Sequence, residues 1–324
     1  MAFVCRICEN RNGIRTLTAR EMMYGTREEF EYFECPGCGT VQIGEFRDMS
    51  PYYPDDYLAF DSKVDIAETL MRRVAARFVG KELIFRRNLI GKALLKAKPW
   101  MADHFPRSLR SFPMGLNFDL KILDFGCGTG KLLRSLHHFG FRNLTGADSF
   151  IADDIRYPEG ITIYKRGLEE LEPHFDLVML HHSFEHLPNP HAAMHQIKRL
   201  IGDSGRCLIR IPVATFAWEK YGTDWVQMDP PRHLFLYTEK AFRLLAEKSG
   251  MAVEHVQYDS GPFQFWGSEL YRRDIPLLDE RSPWVDPGSS LFTAEQMARW
   301  TAEAEELNRT GRGDMAAFYL RKRP

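Results

Sequence analysis

From residue 121 onward the chain alternates short aliphatic runs with longer stretches of helical period. The runs are 121–125 (KILDF), 144–148 (LTGAD), 161–164 (ITIY), 175–180 (FDLVML), 207–211 (CLIRI), 252–256 (AVEHV) and 316–320 (AAFYL). Short runs rich in β-branched and aliphatic side chains read as strands. Helices are predicted over 131–139, 192–201 and 239–249. Strand and helix in alternation predict an α/β fold on a parallel sheet. Two blocks precede it. Residues 1–50 hold paired cysteines; residues 51–118 open with SPYYPDDYLAF and continue as a helix-like run. The expected plan is a small module at 1–50, a helical linker or cap at 51–118, and a catalytic domain at 119–324. Within that domain an aromatic-rich insertion, 260–313, carries Phe263, Phe265, Trp266 and Tyr271. It reads as a lid or pocket wall, or equally as an extra packed helix pair.

Composition changes this picture little. With 324 residues, 44% of them hydrophobic and 27% charged, the chain is ordinary for a folded protein. A net charge of −1 provides no global field toward nucleic acid. The start, MAFVCRICENRNG, has no secretory apolar run, and nothing approaches about 18 uninterrupted apolar residues. A cytoplasmic protein without a transmembrane segment is therefore expected. In that reducing compartment paired cysteines bind metal more often than they form disulfides.

Four of the six cysteines form two C-x-x-C pairs, Cys5 with Cys8 and Cys35 with Cys38, separated by 26 residues. Four thiolates on two tight turns suit a structural, tetrahedral Zn2+ in a zinc-ribbon-like module. Metal binding would help fold a segment too small for its own core. A redox C-x-x-C is the competing reading. Cys127 and Cys207 stand alone.

The strongest chemical signal is LDFGCGTG, residues 123–130, where a strand runs through Gly126-x-Gly128-x-Gly130 into a helix. Such a loop needs glycine so that the backbone turns sharply and a ligand approaches closely. Asp124 lies just before it and Asp148 ends the next strand. An acid at the second position can accept both ribose hydroxyls of a nucleoside. NAD competes as ligand, but the G-x-G-x-G spacing and the extra acid at Asp124, suited to an ammonium group, favour S-adenosyl-L-methionine.

These residues resemble the class I S-adenosylmethionine-dependent methyltransferases, in particular the bacterial group with D-x-G-x-G-x-G and a later E-H-x-x-x-P. The second element stands here within FDLVMLHHSFEHLPNP (175–190), and a third is DPPRHLFLYT (229–238). The resemblance covers about 200 residues and implies a Rossmann-like, seven-stranded class I sheet. It assigns the methionine part of the cofactor to Gly126, Cys127, Gly128 and Gly130, its amino group to Asp124 and its ribose to Asp148. His181 to Ser183 would line the sulfonium. Where many relatives place an acid for the adenine, this chain has Leu168, so backbone groups there, or Glu169, would take that contact.

Zinc modules ahead of such domains resemble two groups: sugar methyltransferases and ribosomal RNA methyltransferases. YYPDDY and GSELYRRDIPL (267–277) are more similar to the first; the extra C-terminal domain of the larger sugar C-methyltransferases is not expected here, which argues against C-methylation. A sugar or glycan-like small-molecule hydroxyl, such as that of a nucleotide-sugar, is the expected acceptor. A general base assists attack by a hydroxyl, and histidine suits that role near neutral pH. The candidates are His181, His182, Glu185, His186 and His233, with Trp225, Asp229 and Arg232 beside them. Glu185 and His186 fit equally a bracing role at a helix start. Residues 63–98 hold ten Lys or Arg against three Asp or Glu. This stretch suits RNA phosphates, a peripheral membrane contact, or simply a solvated helix face. An RNA methyltransferase and a non-catalytic adaptor are the competing functions.

Overall fold

The computed structural model describes residues 3–53, 70–110, 112–113 and 115–323. YYPDDY is thus described only through Tyr53, the basic stretch only from residue 70, and the rest of both lies outside the described residues.

Three N-terminal strands, β1 (Arg15–Arg20), β2 (Glu29–Glu34) and β3 (Val41–Ile43), form an antiparallel meander. The alternation in EFEYFE explains β2, which buries Phe30 and Tyr32 on one face. The larger sheet comprises β4 (Lys121–Phe125), β5 (Asn143–Ala147), β6 (Ile155–Arg156), β7 (Thr162–Tyr164), β8 (Phe175–His181) and β9 (Ile201–Pro212). After the short strand β10 (Phe235–Leu236), which lies elsewhere, β11 (Met251–Tyr258) and β12 (Met315–Lys322) complete it. The order is β11-β12-β9-β8-β4-β5-β7-β6, with β12 antiparallel to both neighbours and β6 antiparallel to β7. All seven expected strands are present, and the two-residue β6 extends one edge.

Period-two alternation sorts the strand side chains into two cores. Leu123, Phe125, Val178, Leu180, Ile209 and Ile211 face one; Ile122, Leu177, Met179 and Leu208 face the other. The helix Lys131–Phe139 closes the second core with Leu133, Leu136 and Phe139. The basic helix Leu70–Phe85 packs on the same side through Ala76 and Val79. Its Gly80 is required by that packing, since a Cβ there would lie 2.3 Å from the Phe139 carbonyl oxygen.

The first core is shared with the N-terminal sheet. β10, from the DPPRHLFLYT segment, pairs antiparallel with β3 (Phe235 opposite Gln42, Leu236 opposite Val41). Ile7, Phe30, Tyr32 and Val41 therefore bury against Trp225, Phe235 and Tyr237. In the main sheet the chain runs from β4 outward to β5 and β7, then returns to β8 on the other side of β4. That reversal opens a crevice at the carboxyl ends of β4 and β8, the place where open α/β sheets bind ligands.

Candidate active site

The loop after β4 is shaped by its glycines. Gly126, Gly128 and Gly130 have φ of +74°, +53° and +79°, in the left-handed region. A Cβ on Gly126 would lie 2.3 Å from the Cβ of Ser183, and one on Gly130 would lie 2.5 Å from Ile163 Cδ1. Asp148, just past β5, reaches back to this loop. Its Oδ2 accepts the Gly128 N–H at 2.8 Å and its Oδ1 accepts the Phe150 N–H at 2.8 Å. A carboxylate has about four acceptor sites, so capacity remains for two more donors. Asp124 is buried in β4; burial first, then the charge of Asp148, pushes its carboxyl up to about 8.

A cavity of about 580 Å³ opens beside the loop, lined by Phe125, Gly126, Asp148, Phe150, His181, His182 and Ser183 from the strand ends. Its volume is that of a small-ligand site. His186, Gln227, Asp229 and His233 line it further on; Met23, Phe263, Gln264, Tyr271, Leu277 and Trp284 form a largely apolar wall. Of the residues singled out in the sequence, Gly126, Asp148, His181, His182, His186 and His233 thus meet in one cavity. Asp124, Cys127, Gly128, Gly130, Leu168 and Glu185 are not among its lining residues. Leu168 is buried in the core, with its carbonyl accepting Arg199 Nη2 at 2.9 Å.

The histidines differ in what holds them. His182 has φ +52°, and the Arg210 guanidinium donates to its Nε2, which occupies that lone pair. Cavity walls enclose His182 although 43% of its side chain is accessible; burial and Arg210 both hold its pKa well below the ordinary value. His181 is pushed down to about 3 by burial and Arg210. His186 Nδ1 lies 2.7 Å from the Arg232 carbonyl and His233 Nδ1 lies 2.7 Å from the Gln227 carbonyl. A carbonyl only accepts, so Nδ1 carries the proton in both rings and Nε2 keeps its lone pair. Burial, followed by His233, lowers the His186 pKa to about 3; burial lowers that of His233. Glu185 is fully buried and pushed up to about 8.

Several residues of this site carry no sequence signal of their own. Arg210, on β9, is held by Asp259 through its Nε at 2.8 Å. Glu21 accepts from Arg232 Nη2 at 2.9 Å, completing a buried ion pair that Asp229 shares at 2.5 Å. Tyr32 Oη donates to the His233 carbonyl at 2.9 Å. Glu21 and Tyr32 belong to the N-terminal segment, so the loop bearing His233 is braced from outside the main sheet.

A second cluster lies in that segment. Cys5, Cys8, Cys35 and Cys38 place their Sγ atoms within 4.8 Å of one another, with Cys5–Cys38 and Cys8–Cys35 each at 3.5 Å. Tetrahedral Zn–S bonds of about 2.3 Å require sulfur separations of roughly 3.8 Å, so the donor set fits zinc. Backbone N–H groups of Ile7 and Cys8 and the Gln42 amide (3.0 Å) point at Cys5 Sγ, and such donors favour thiolate. Among the described residues no helix is long and apolar enough to cross a membrane.

Residues 69–256 match a sequence family described as a methyltransferase domain. A ubiquinone biosynthesis O-methyltransferase of Maricaulis maris is 28% identical over 154 residues, which span 41% of this chain and 59% of that relative. Among solved structures, a cyclopropane synthase of Mycobacterium tuberculosis is 16% identical with a TM-score of 0.42, over 78% of this chain and 99% of that one. A 1,6-didemethyltoxoflavin-N1-methyltransferase of Burkholderia thailandensis is 13% identical with a TM-score of 0.40, over 82% and 93%.

Proposed function

This chain belongs to the class I S-adenosylmethionine-dependent methyltransferases, and from that premise we propose that it methylates a hydroxyl of a small-molecule acceptor held in the cavity. The observation that carries this reading is Asp148: it is tied to the glycine loop through Gly128, lines the cavity, and has acceptor capacity left for a ribose diol. The loop fits the cofactor because the positive φ of Gly126 and its contact with Ser183 keep any side chain out of the cradle. Gly126, Cys127, Gly128 and Gly130 would hold the methionine end, Asp124 the amino group and Asp148 the ribose, with Phe150 walling the adenine end and Leu168 behind it. When bound, S-adenosylmethionine supplies an activated methyl group on its sulfonium. The chain's own residues then align the acceptor for in-line attack and keep water out.

For the acceptor, His186 and His233 orient the hydroxyl with Glu185 buried beside them, while His181 and His182 border the sulfonium side. Among the described residues the lining offers no unpaired Lys or Arg: its one arginine, Arg210, is held by Asp259, and Asp229 of the lining is itself paired with the buried Arg232. That balance favours an uncharged acceptor over a phosphorylated one. Phe263 and Trp284 offer ring faces for a sugar or phenol. The four cysteines serve a structural zinc ion with no position left open for chemistry.

Calorimetric titration with S-adenosylhomocysteine tests the cofactor reading. Wild type is expected to bind, and Asp148→Ala to lose at least about tenfold, since a bidentate charge-assisted contact is worth about 1.5–3 kcal/mol. No binding at millimolar ligand would overturn the assignment. Mass-spectrometric detection of a 14-dalton gain on phenolic and sugar acceptors, offered in parallel, then separates the acceptor classes.

A further inference from the structure

The group formed by Glu185, His186 and His233 has a feature that hydroxyl orientation alone does not explain. Glu185 is fully buried, and among the described residues neither of its carboxylate oxygens has a hydrogen-bond partner. Buried carboxylates are held by hydrogen bonds, by paired cations or by metals. Protonation alone would not complete a hydrogen bond, because among the described residues no acceptor lies within hydrogen-bond distance of either oxygen. Two imidazole nitrogens lie just beyond hydrogen-bond distance: His233 Nε2 is 3.9 Å from Oε1 and His182 Nδ1 is 3.7 Å from it.

Two imidazoles of the group, those of His186 and His233, are prepared in the same way. His186 and His233 each donate Nδ1–H to a backbone carbonyl, Arg232 O and Gln227 O, at 2.7 Å. That arrangement fixes the tautomer and aims the Nε2 lone pair, as the outer partners of metal-bound histidines do. One ligand atom from each of Glu185, His186 and His233 lies within 4.8 Å of the others. Asp229, 3.9 Å from His233 Nε2, is engaged by Arg232 and is not needed as a ligand.

We propose that Glu185, His186 and His233 bind one divalent transition-metal ion of the zinc type in the cavity wall, through the carboxylate and the two Nε2 atoms. Two neutral imidazoles and one carboxylate suit zinc, cobalt or ferrous iron and not the all-oxygen preference of magnesium or calcium. Three protein ligands leave at least one position open, and His186 and His233 line the cavity, so that position faces the bound molecule. An ion there would orient an acceptor hydroxyl and raise its acidity. This use of the ion rests on the methyl-transfer reading; its binding does not.

The test is metal counting on the full chain. After chelator treatment, reloading with excess zinc and desalting, elemental analysis is expected to give two zinc ions per wild-type chain. Glu185→Gln and His233→Gln are each expected to give one. In cobalt-loaded protein the four-cysteine site gives an intense thiolate-to-metal charge-transfer band. The second equivalent adds only weaker d–d bands, which both variants lose. A wild-type count of one, with charge-transfer bands alone, overturns the proposal without recourse to any variant. So does a count of two retained in both substitutions. S-adenosylhomocysteine binding, measured on the same samples, reports whether a variant is still folded. It also separates the two readings: two metals without cofactor binding leaves the ion and removes the methyltransferase assignment, and one metal with cofactor binding does the reverse.

Discussion

Asp124 and Asp148 have the same side chain and end adjacent strands, yet their surroundings set them apart. Asp148 accepts two backbone N–H bonds and borders the cavity, whereas Asp124 is enclosed and its carboxyl is pushed up to about 8 by burial and by Asp148. The consequence for stability has a definite sign. In the unfolded chain an aspartate loses its proton near pH 4; in the fold Asp124 keeps it to about 8. Between these values the native state binds more protons, so stability falls as pH rises, by up to about 1.4 kcal/mol per pH unit from this group. Comparison with Asp124→Asn isolates the aspartate: the variant is expected to gain on wild type between pH 5 and pH 7 in urea unfolding. Equal pH slopes for the two proteins would refute the buried neutral carboxyl. Both acids and the three glycines were legible in the sequence because they stand at fixed spacing in or just after the ends of two apolar strands. Arg210, Asp259, Glu21 and Tyr32 were not, because each acts through a partner distant in the chain: Asp259 for Arg210, Arg232 for Glu21, and His233 for Tyr32.

At the level of elements, period and length decided what was readable. The helix Lys131–Phe139 has the bounds its pattern predicts. β8 gains only His181 beyond the predicted run, since four consecutive buried residues identify a central strand. β9 is longer than its apolar segment, running Ile201–Pro212, because Gly202, Asp203, Ser204 and Gly205 carry no hydrophobic period. β6 and β10, two residues each, are too short to have one. β10 nonetheless matters for the site: it joins the segment after His233 to β3, and Tyr32 of β2 clamps the His233 carbonyl next to it. Tyr32→Phe keeps the ring and removes that buried hydrogen bond, at a cost of about 1–3 kcal/mol for the stranded carbonyl. Thermal melting should register the loss. Because the bond fixes His233 rather than the glycine loop, turnover is expected to fall several-fold while S-adenosylhomocysteine affinity stays within about twofold. Parallel losses in both would mean that Tyr32 acts on the whole fold and not on that histidine.

Across the whole molecule, the N-terminal segment and the main sheet are joined by more than a linker. They share an apolar core, a strand pairing between β3 and β10, and the buried Glu21–Arg232–Asp229 ion network. The cysteine cluster is tied into the same structure: Thr238 Oγ1 donates to the Cys38 carbonyl at 2.6 Å and caps the helix Glu239–Lys248 by accepting the Ala241 N–H at 3.1 Å. Lys240 Nζ also donates to the Gly37 carbonyl at 2.7 Å. If zinc holds the four thiolates, its release removes the cross-link that positions the Cys38 knuckle, and disorder there passes through β3 to β10 and the His233 loop. Removing a buried ion-pair partner costs about 3–5 kcal/mol, so loosening Glu21 from Arg232 would destabilise the cavity wall as well. Withdrawal of zinc from the cysteine site by a thiol-directed mercurial, which leaves Glu185, His186 and His233 untouched, is therefore expected to lower the melting temperature and methyl transfer together, with thiol and zinc restoring both. The glycine loop and Asp148 sit on β4 and β5, away from that path, so residual cofactor binding should outlast turnover as metal is withdrawn. If metal-depleted protein kept full turnover, the N-terminal segment would be an appendage, and the contacts of Glu21 and Tyr32 would have no part in holding the site.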